Sequence, residues 1–242
     1  MNELELERKK HRVLYRELFA EANKTFLEQL NKLRNDFSCT QCMQECPLKT
    51  SEFPPSVITM LPENCSYKEW QKLCINVIKT EIEPDIFQKI ENISVYRQEF
   101  KCSGCATCCN LACSDYSYEE LQEKAKSGDN FAKQFTSVFV PYNSLEEARK
   151  IFPDYVDIVQ TTMGEEEKIY FYHCPLLTKD NKCSKYEERP EICRDFPENP
   201  LSVLPPSCGF YGWKDEVMVA AMTLHAMSYI YKFYLAKIEE TL

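Results

Sequence analysis

Glycine is scarce in this chain. Five glycines occur in 242 residues, and none sits in a run able to cradle a phosphate. That weighs against nucleotide binding. Histidine is scarcer still. His11, His173 and His225 are the full set, and no Ser-His-Asp arrangement can be argued from them. A basic excess is also missing. With 29 Lys and Arg against 38 Asp and Glu the net charge is −9, so the basic face that nucleic-acid binding needs is not expected. Nor is there a long apolar run. Near the C-terminus the longest uncharged stretch, Val217 to Tyr231, has 15 residues, too few to span a membrane, and His225 and Ser228 interrupt it. It reads as a buried core helix, with His225 a satisfied core residue. The sequence starts on charged residues and shows no apolar signal segment, which points to the cytoplasm. No internal repeat is visible.

Cysteine, by contrast, is plentiful. There are 14, about 6% of the chain, below the level of a short secreted disulfide scaffold. In a reducing compartment clustered cysteines read as metal-binding or catalytic rather than as staples. The densest group is Cys102-x2-Cys105-x2-Cys108-Cys109, followed downstream by Cys174, Cys183, Cys193 and Cys208. Three thiols at x2 spacing bring several sulfurs within reach of one point, which a metal needs and a disulfide does not. Thiolates select zinc, copper(I) or iron–sulfur clusters. The x2-x2 spacing also occurs in ferredoxin-type loops, but Cys113 is not followed by proline, so the full ferredoxin run is absent.

Cys108 and Cys109 are adjacent, and in extended backbone neighbours face opposite ways. The central and downstream cysteines can therefore form two four-thiolate sites, or one cluster with spare thiols. If Cys109 points away, Cys102, Cys105 and Cys108 leave a tetrahedral metal one ligand short, and a downstream residue such as Cys193 would complete it. Arg189, Arg194, Lys182 and Lys185 lie near these cysteines and can offset the negative charge of thiolates. A second trio, Cys39-x2-Cys42-x3-Cys46, has metal-ligand spacing of its own, with Cys65 as the better fourth ligand. Cys74 falls on an apolar helix face and reads as core, and Cys113 is ambiguous. His173 adjoins Cys174 and reads as an exposed residue at a strand end or as an added ligand.

Apolar spacing predicts a long helix to about Phe37, through Leu14, Leu18, Ala22, Phe26, Leu30 and Leu33. It is a scaffold or a docking face for a protein partner. A helix is expected over Tyr67 to Ile82, separated by Pro84 from a shorter one. Ser117-x-x-Glu120 and Ser144-x-x-Glu147 are capping boxes that open two more, the first ending near Gly128. Tyr155 to Thr162 and Ile169 to Tyr172 are β-rich and read as a hairpin delivering Cys174. From Cys174 to Cys208 there are six prolines, so this segment is mostly loop that something else must pin, and a metal can do so. A final helix is expected over Lys214 to Glu240. The expected fold is α+β and predominantly helical, with a small β-hairpin and metal-pinned loops packed among helices. Two regions are expected: 1–97, helical with its own cysteines, and a cysteine-cluster domain over 98–242.

With the CxxCxxCC box upstream, the motifs Cys174-Pro-x-Leu, Cys183-Ser-x-Tyr, Arg189-Pro and Cys193-Arg-x-Phe-Pro follow in order. Over residues 98 to 212 the chain resembles the YkgJ-type CxxCxxCC family, a zinc- or iron-chelating cysteine cluster. The resemblance implies metal ligation by Cys102, Cys105, Cys108, Cys109, Cys174, Cys183, Cys193 and Cys208. It implies zinc or an iron–sulfur cluster, the four-iron, four-sulfur (4Fe-4S) type included, and no particular reaction. The flagellin lysine methylases carry a similar cluster, so protein-lysine methyl transfer is one alternative, although this chain is short for it. Electron transfer through an iron–sulfur cluster is another.

Overall fold

The computed structural model describes residues 3–35, 66–163, 168–240 and 242. Their contacts divide into two compact units, one of Tyr96–Met218 with the turns up to Lys9, the other of Lys10–Val95 and Val219–Leu242.

The second unit is helical. Its first helix, α1, spans Glu3–Asn35, and Ala22, Phe26 and Leu30 are its buried stripe at the expected helical spacing. α2 spans Ser66–Val77 and buries Tyr67, Trp70 and Cys74. The break expected at Pro84 does not occur. Proline lacks an N–H, and its ring crowds the carbonyl four residues back. The chain accommodates this with one wide turn over Ile78–Ile82, in which Glu83 N–H reaches back to Ile78 O, and then continues as α3, Glu83–Tyr96. Leu224, Ile230, Tyr231, Tyr234 and Ile238, from the last helix of the chain, close this core. Among the described residues, no helix is long and apolar enough to cross a membrane. His225 is exposed, with its Nδ1 3.0 Å from the Tyr15 hydroxyl, so it is a partnered surface residue rather than a core one.

The other unit is built on a small antiparallel sheet. A short 3-10 turn, Arg97–Glu99, leads to α4 (Thr107–Asn110), β1 (Ala112–Ser114), α5 (Tyr118–Ser127) and α6 (Asn130–Val138). β2 (Val140–Pro141), α7 (Leu145–Arg149), α8 (Pro153–Met163), β3 (Tyr170–His173) and α9 (Glu191–Arg194) follow, then the start of α10 (Tyr211–Glu239), which from Val219 onward belongs to the helical unit. The strand order is β1-β3-β2, with Ala112 opposite Tyr172 and Val140 opposite His173. Successive residues of β3 face opposite ways. Phe171 enters a core with Leu111, Ala148, Tyr155, Val156 and Val159, and Tyr172 enters another with Leu121, Ala132, Phe135, Val138 and Phe139.

Both serines cap their helices, but only the first of the two expected capping boxes is reciprocal. Ser117 and Glu120 cap each other reciprocally at the start of α5, which stops at Gly128 with φ 107°. Ser144 Oγ accepts from Glu147 N–H, while the Glu147 carboxylate turns to Asn143 N–H. The hairpin expected from Tyr155 is corrected. Residues 153–163 form α8, with proline at the first helical position where its missing N–H costs nothing. Tyr155, Val156 and Val159 share a buried helical face there, and that burial overrides their β propensity. β3 pairs instead with β1 and β2, both distant in sequence.

Candidate metal centre

The cysteine box occupies a loop between Phe100 and α4. Gly104 (φ 72°) and Ala106 (φ 62°) are both left-handed. For alanine that conformation costs about 1–2 kcal/mol, so the surrounding contacts must enforce it. It turns the chain into α4, where Cys108 and Cys109 are consecutive helical residues rather than extended ones. They therefore diverge by about 100° around a helix axis, not by the half-turn that extended backbone gives.

Two separate contacts bring the downstream cysteines to this loop. The first is continuous with the sheet. Past the β1–β3 pairing, Cys174 N–H donates to Cys109 O at 2.7 Å. The chain then doubles back at Asn181, where φ is 57°, with Leu177 bridged to Cys183 and Ser184 N–H donating to Leu176 O at 3.0 Å. Cys183 is thus returned toward Cys174. Cys193 lies on α9, which Gln134 of α6 clamps by accepting from Ile192 N–H at 2.9 Å and donating to Glu191 at 3.0 Å.

The second contact is a backbone-on-backbone approach. Ser103 Oγ donates to Ser207 O at 2.8 Å, and Gly209 packs so closely that a Cβ there would lie 2.0 Å from Lys101 O. Cys208 is held beside Cys105 as a result. Arg97 braces the neighbouring segment: Nε donates to Pro197 O, and Nη2 to Arg194 O and Phe196 O, at 2.7 to 2.9 Å. Its guanidinium also lies over the Phe210 ring.

Cys102, Cys105, Cys108, Cys109, Cys174, Cys183, Cys193 and Cys208 all line one cavity of about 1070 Å³, as does Cys113. All nine are half-buried and free. The thiols meet in pairs. Cys208 donates to Cys105, which holds the Cys105 thiol down at about 5 and pushes Cys208 up. Cys108 donates to Cys109, lowering Cys109 with help from Arg189 and raising Cys108, which burial raises further. Burial raises Cys174, and it pushes Cys193 up to about 11 with Cys109, Cys174 and Cys183 as charged neighbours. Burial, then Asp115, pushes Cys113 up to about 11, and it packs against the Phe171 core. Among the described residues, no three His, Cys, Asp or Glu side chains are grouped closely enough to hold a metal ion as they stand. The donor set nonetheless fits a thiophilic metal: it is all thiol, and cationic side chains surround it.

Residues 101–216 match the model of the CxxCxxCC family, whose description reads "Putative zinc- or iron-chelating domain". This segment belongs to the CxxCxxCC family. That description supports metal binding by this segment without naming the metal. No curated protein and no solved structure matches the chain.

Cys39, Cys42, Cys46 and Cys65 lie outside the described residues. Cys74 is fully buried in the helical core, where burial pushes its thiol up to about 12. His173 ends β3 beside the Tyr142 ring, 4.8 Å away. Sequence reasoning missed Arg97, Gln134 and Gly209. The only available signal was Gly209, one of five glycines and placed directly after a cysteine.

Proposed function

We propose that this protein holds zinc or an iron–sulfur cluster through Cys102, Cys105, Cys108, Cys109, Cys174, Cys183, Cys193 and Cys208. In this reading the metal is structural. It fastens the proline-rich segment from Cys174 to Cys208 to the CxxCxxCC loop. One observation carries the reading: thiols from opposite ends of a hundred-residue segment surround a single cavity. Thiols gathered in a reducing cell are held together by what binds them. The wall offers little for proton transfer. Asp180 and Glu188 are its only carboxylates among the described residues, and no described histidine lines it. That favours a binding and stabilising role over catalysis.

Purification without oxygen, followed by absorption spectroscopy and elemental analysis, tests this. A brown protein with charge-transfer bands identifies an iron–sulfur cluster. A colourless protein with stoichiometric zinc identifies zinc. Protein that carries neither metal, with every thiol titrating freely under native conditions, would overturn the proposal.

A further inference from the structure

The geometry points to two separate four-thiol centres in this domain, one of Cys102, Cys105, Cys108 and Cys208, the other of Cys109, Cys174, Cys183 and Cys193. The inference rests on the reading of these cysteines as metal ligands and divides them.

Backbone contacts make the division. The 207–209 segment lies directly on 101–103, through the Ser103–Ser207 hydrogen bond and the Gly209 approach to Lys101. Cys208 can therefore reach the first half of the box and completes the trio that the x2-x2 spacing leaves one ligand short. Cys174 hangs from the Cys109 carbonyl, and the turn at Asn181 brings Cys183 back to it. Cys193 comes in on α9, and its charged neighbours are Cys109, Cys174 and Cys183. Those of Cys208 are Cys105 and Cys102. The two sets meet at Cys108 and Cys109, whose thiols touch, and Cys105 is a further neighbour of Cys109; the two adjacent side chains leave α4 about 100° apart and can turn to different ions.

Charge agrees with two centres. The cavity wall carries six cations, Arg97, Lys101, Lys182, Lys185, Arg189 and Arg194, against two acids, Asp180 and Glu188. That is an excess of four positive charges in a chain whose net charge is −9. A zinc ion with four thiolates carries a formal charge of about −2, and so does an oxidised 4Fe-4S cluster with four thiolates. Two such centres, about −4 together, would be balanced by the wall, whereas one would leave it over-compensated by about two charges.

The test uses the full chain, stripped of metal and reloaded with cobalt(II) alone. Thiolate-to-cobalt absorption and elemental analysis count bound ions relative to the wild-type chain. Cys208→Ser should lose one equivalent. The double variant Cys102→Ser/Cys208→Ser, confined to one set, should lose no more than that. The double variant Cys183→Ser/Cys208→Ser, which hits both sets, should lose two. Equal losses in the two double variants would mean a single shared centre, overturning the division but not metal binding. A Cys183→Ser/Cys208→Ser protein with wild-type cobalt would overturn the ligand reading itself. A second measurement needs no substitution. Zinc-loaded wild-type protein is treated with graded chelator, alkylated, and mapped by mass spectrometry. Labels should enter in blocks, Cys105 with Cys208 and Cys109 with Cys193. A block joining Cys105 to Cys193 while sparing Cys208 would overturn the division.

Discussion

Gly209→Ala is the most demanding single change the structure suggests. The added carbon would stand 2.0 Å from Lys101 O and 2.9 Å from Ser103 N. Both are backbone atoms, so no rotamer change relieves the contact. The 207–209 segment must lift from 101–103 by roughly 1 Å or more before ordinary contact distances return. Overpacking of this kind costs about 1–3 kcal/mol. The Ser103–Ser207 hydrogen bond, now 2.8 Å, would break and remove about 0.5–1.5 kcal/mol more. The expected loss is about 2–4 kcal/mol, together with displacement of Cys208 from Cys105. Gly104→Ala is the control. It lies in the same loop with φ 72° and nothing within 4 Å of the new carbon, so only the left-handed conformation is charged, about 1–2 kcal/mol. Urea unfolding and metal content per chain report both variants. Gly209→Ala should be clearly the less stable and should lose metal, while Gly104→Ala retains it. A Gly209→Ala protein as stable as Gly104→Ala, with full metal, would refute the close approach on which the position of Cys208 depends.

Three further outcomes are expected. Arg97→Ala removes a charged donor to the carbonyls of Arg194, Phe196 and Pro197 and should cost about 2 kcal/mol in urea unfolding. Arg97→Lys should restore only part of it, because an ammonium lacks the planar fork, and full rescue by lysine would contradict the role assigned to that geometry. Metal removal should raise amide hydrogen exchange across residues 174–208 far more than in the helical core around Trp70, since ligand binding and ordering are coupled. Equal protection with and without metal would remove the structural role. Cys42→Ser should lower metal content without emptying the central cysteines if the N-terminal trio forms its own site, and unchanged metal content would reduce that trio to spare thiols.

Local signals in the sequence carried furthest where the physics is local. The reciprocal cap of Ser117 and Glu120, the stop at Gly128 and the stripe of Ala22, Phe26 and Leu30 each depend on residues within a few positions of one another. All are present in the structure. The spaced motifs from Cys102 to Pro197 were equally legible, and the family match over 101–216 covers nearly the same stretch as the resemblance drawn from them. Failures came where tertiary contact decides. Residues 153–163 are rich in β-branched side chains, yet burial of Tyr155, Val156 and Val159 against Phe171 makes them a helix. Pro84 carries a local signal for a break, and the wide turn over Ile78–Ile82 that lets the helix continue past it has no local signal of its own. How the downstream cysteines divide between the two halves of the box is open in the sequence. The residue beside Cys105 is Cys208, put there by a contact between 101–103 and 207–209 that no local pattern encodes.

X-ray absorption at the metal edge of the anaerobically purified protein tests the central claim most directly. For a metal held by the clustered thiols the account predicts a first shell of sulfur alone, at about 2.3 Å if the metal is zinc. For an iron–sulfur cluster an iron–iron shell should appear beyond the sulfur. A first shell dominated by nitrogen or oxygen, or the absence of zinc and iron altogether, would contradict it.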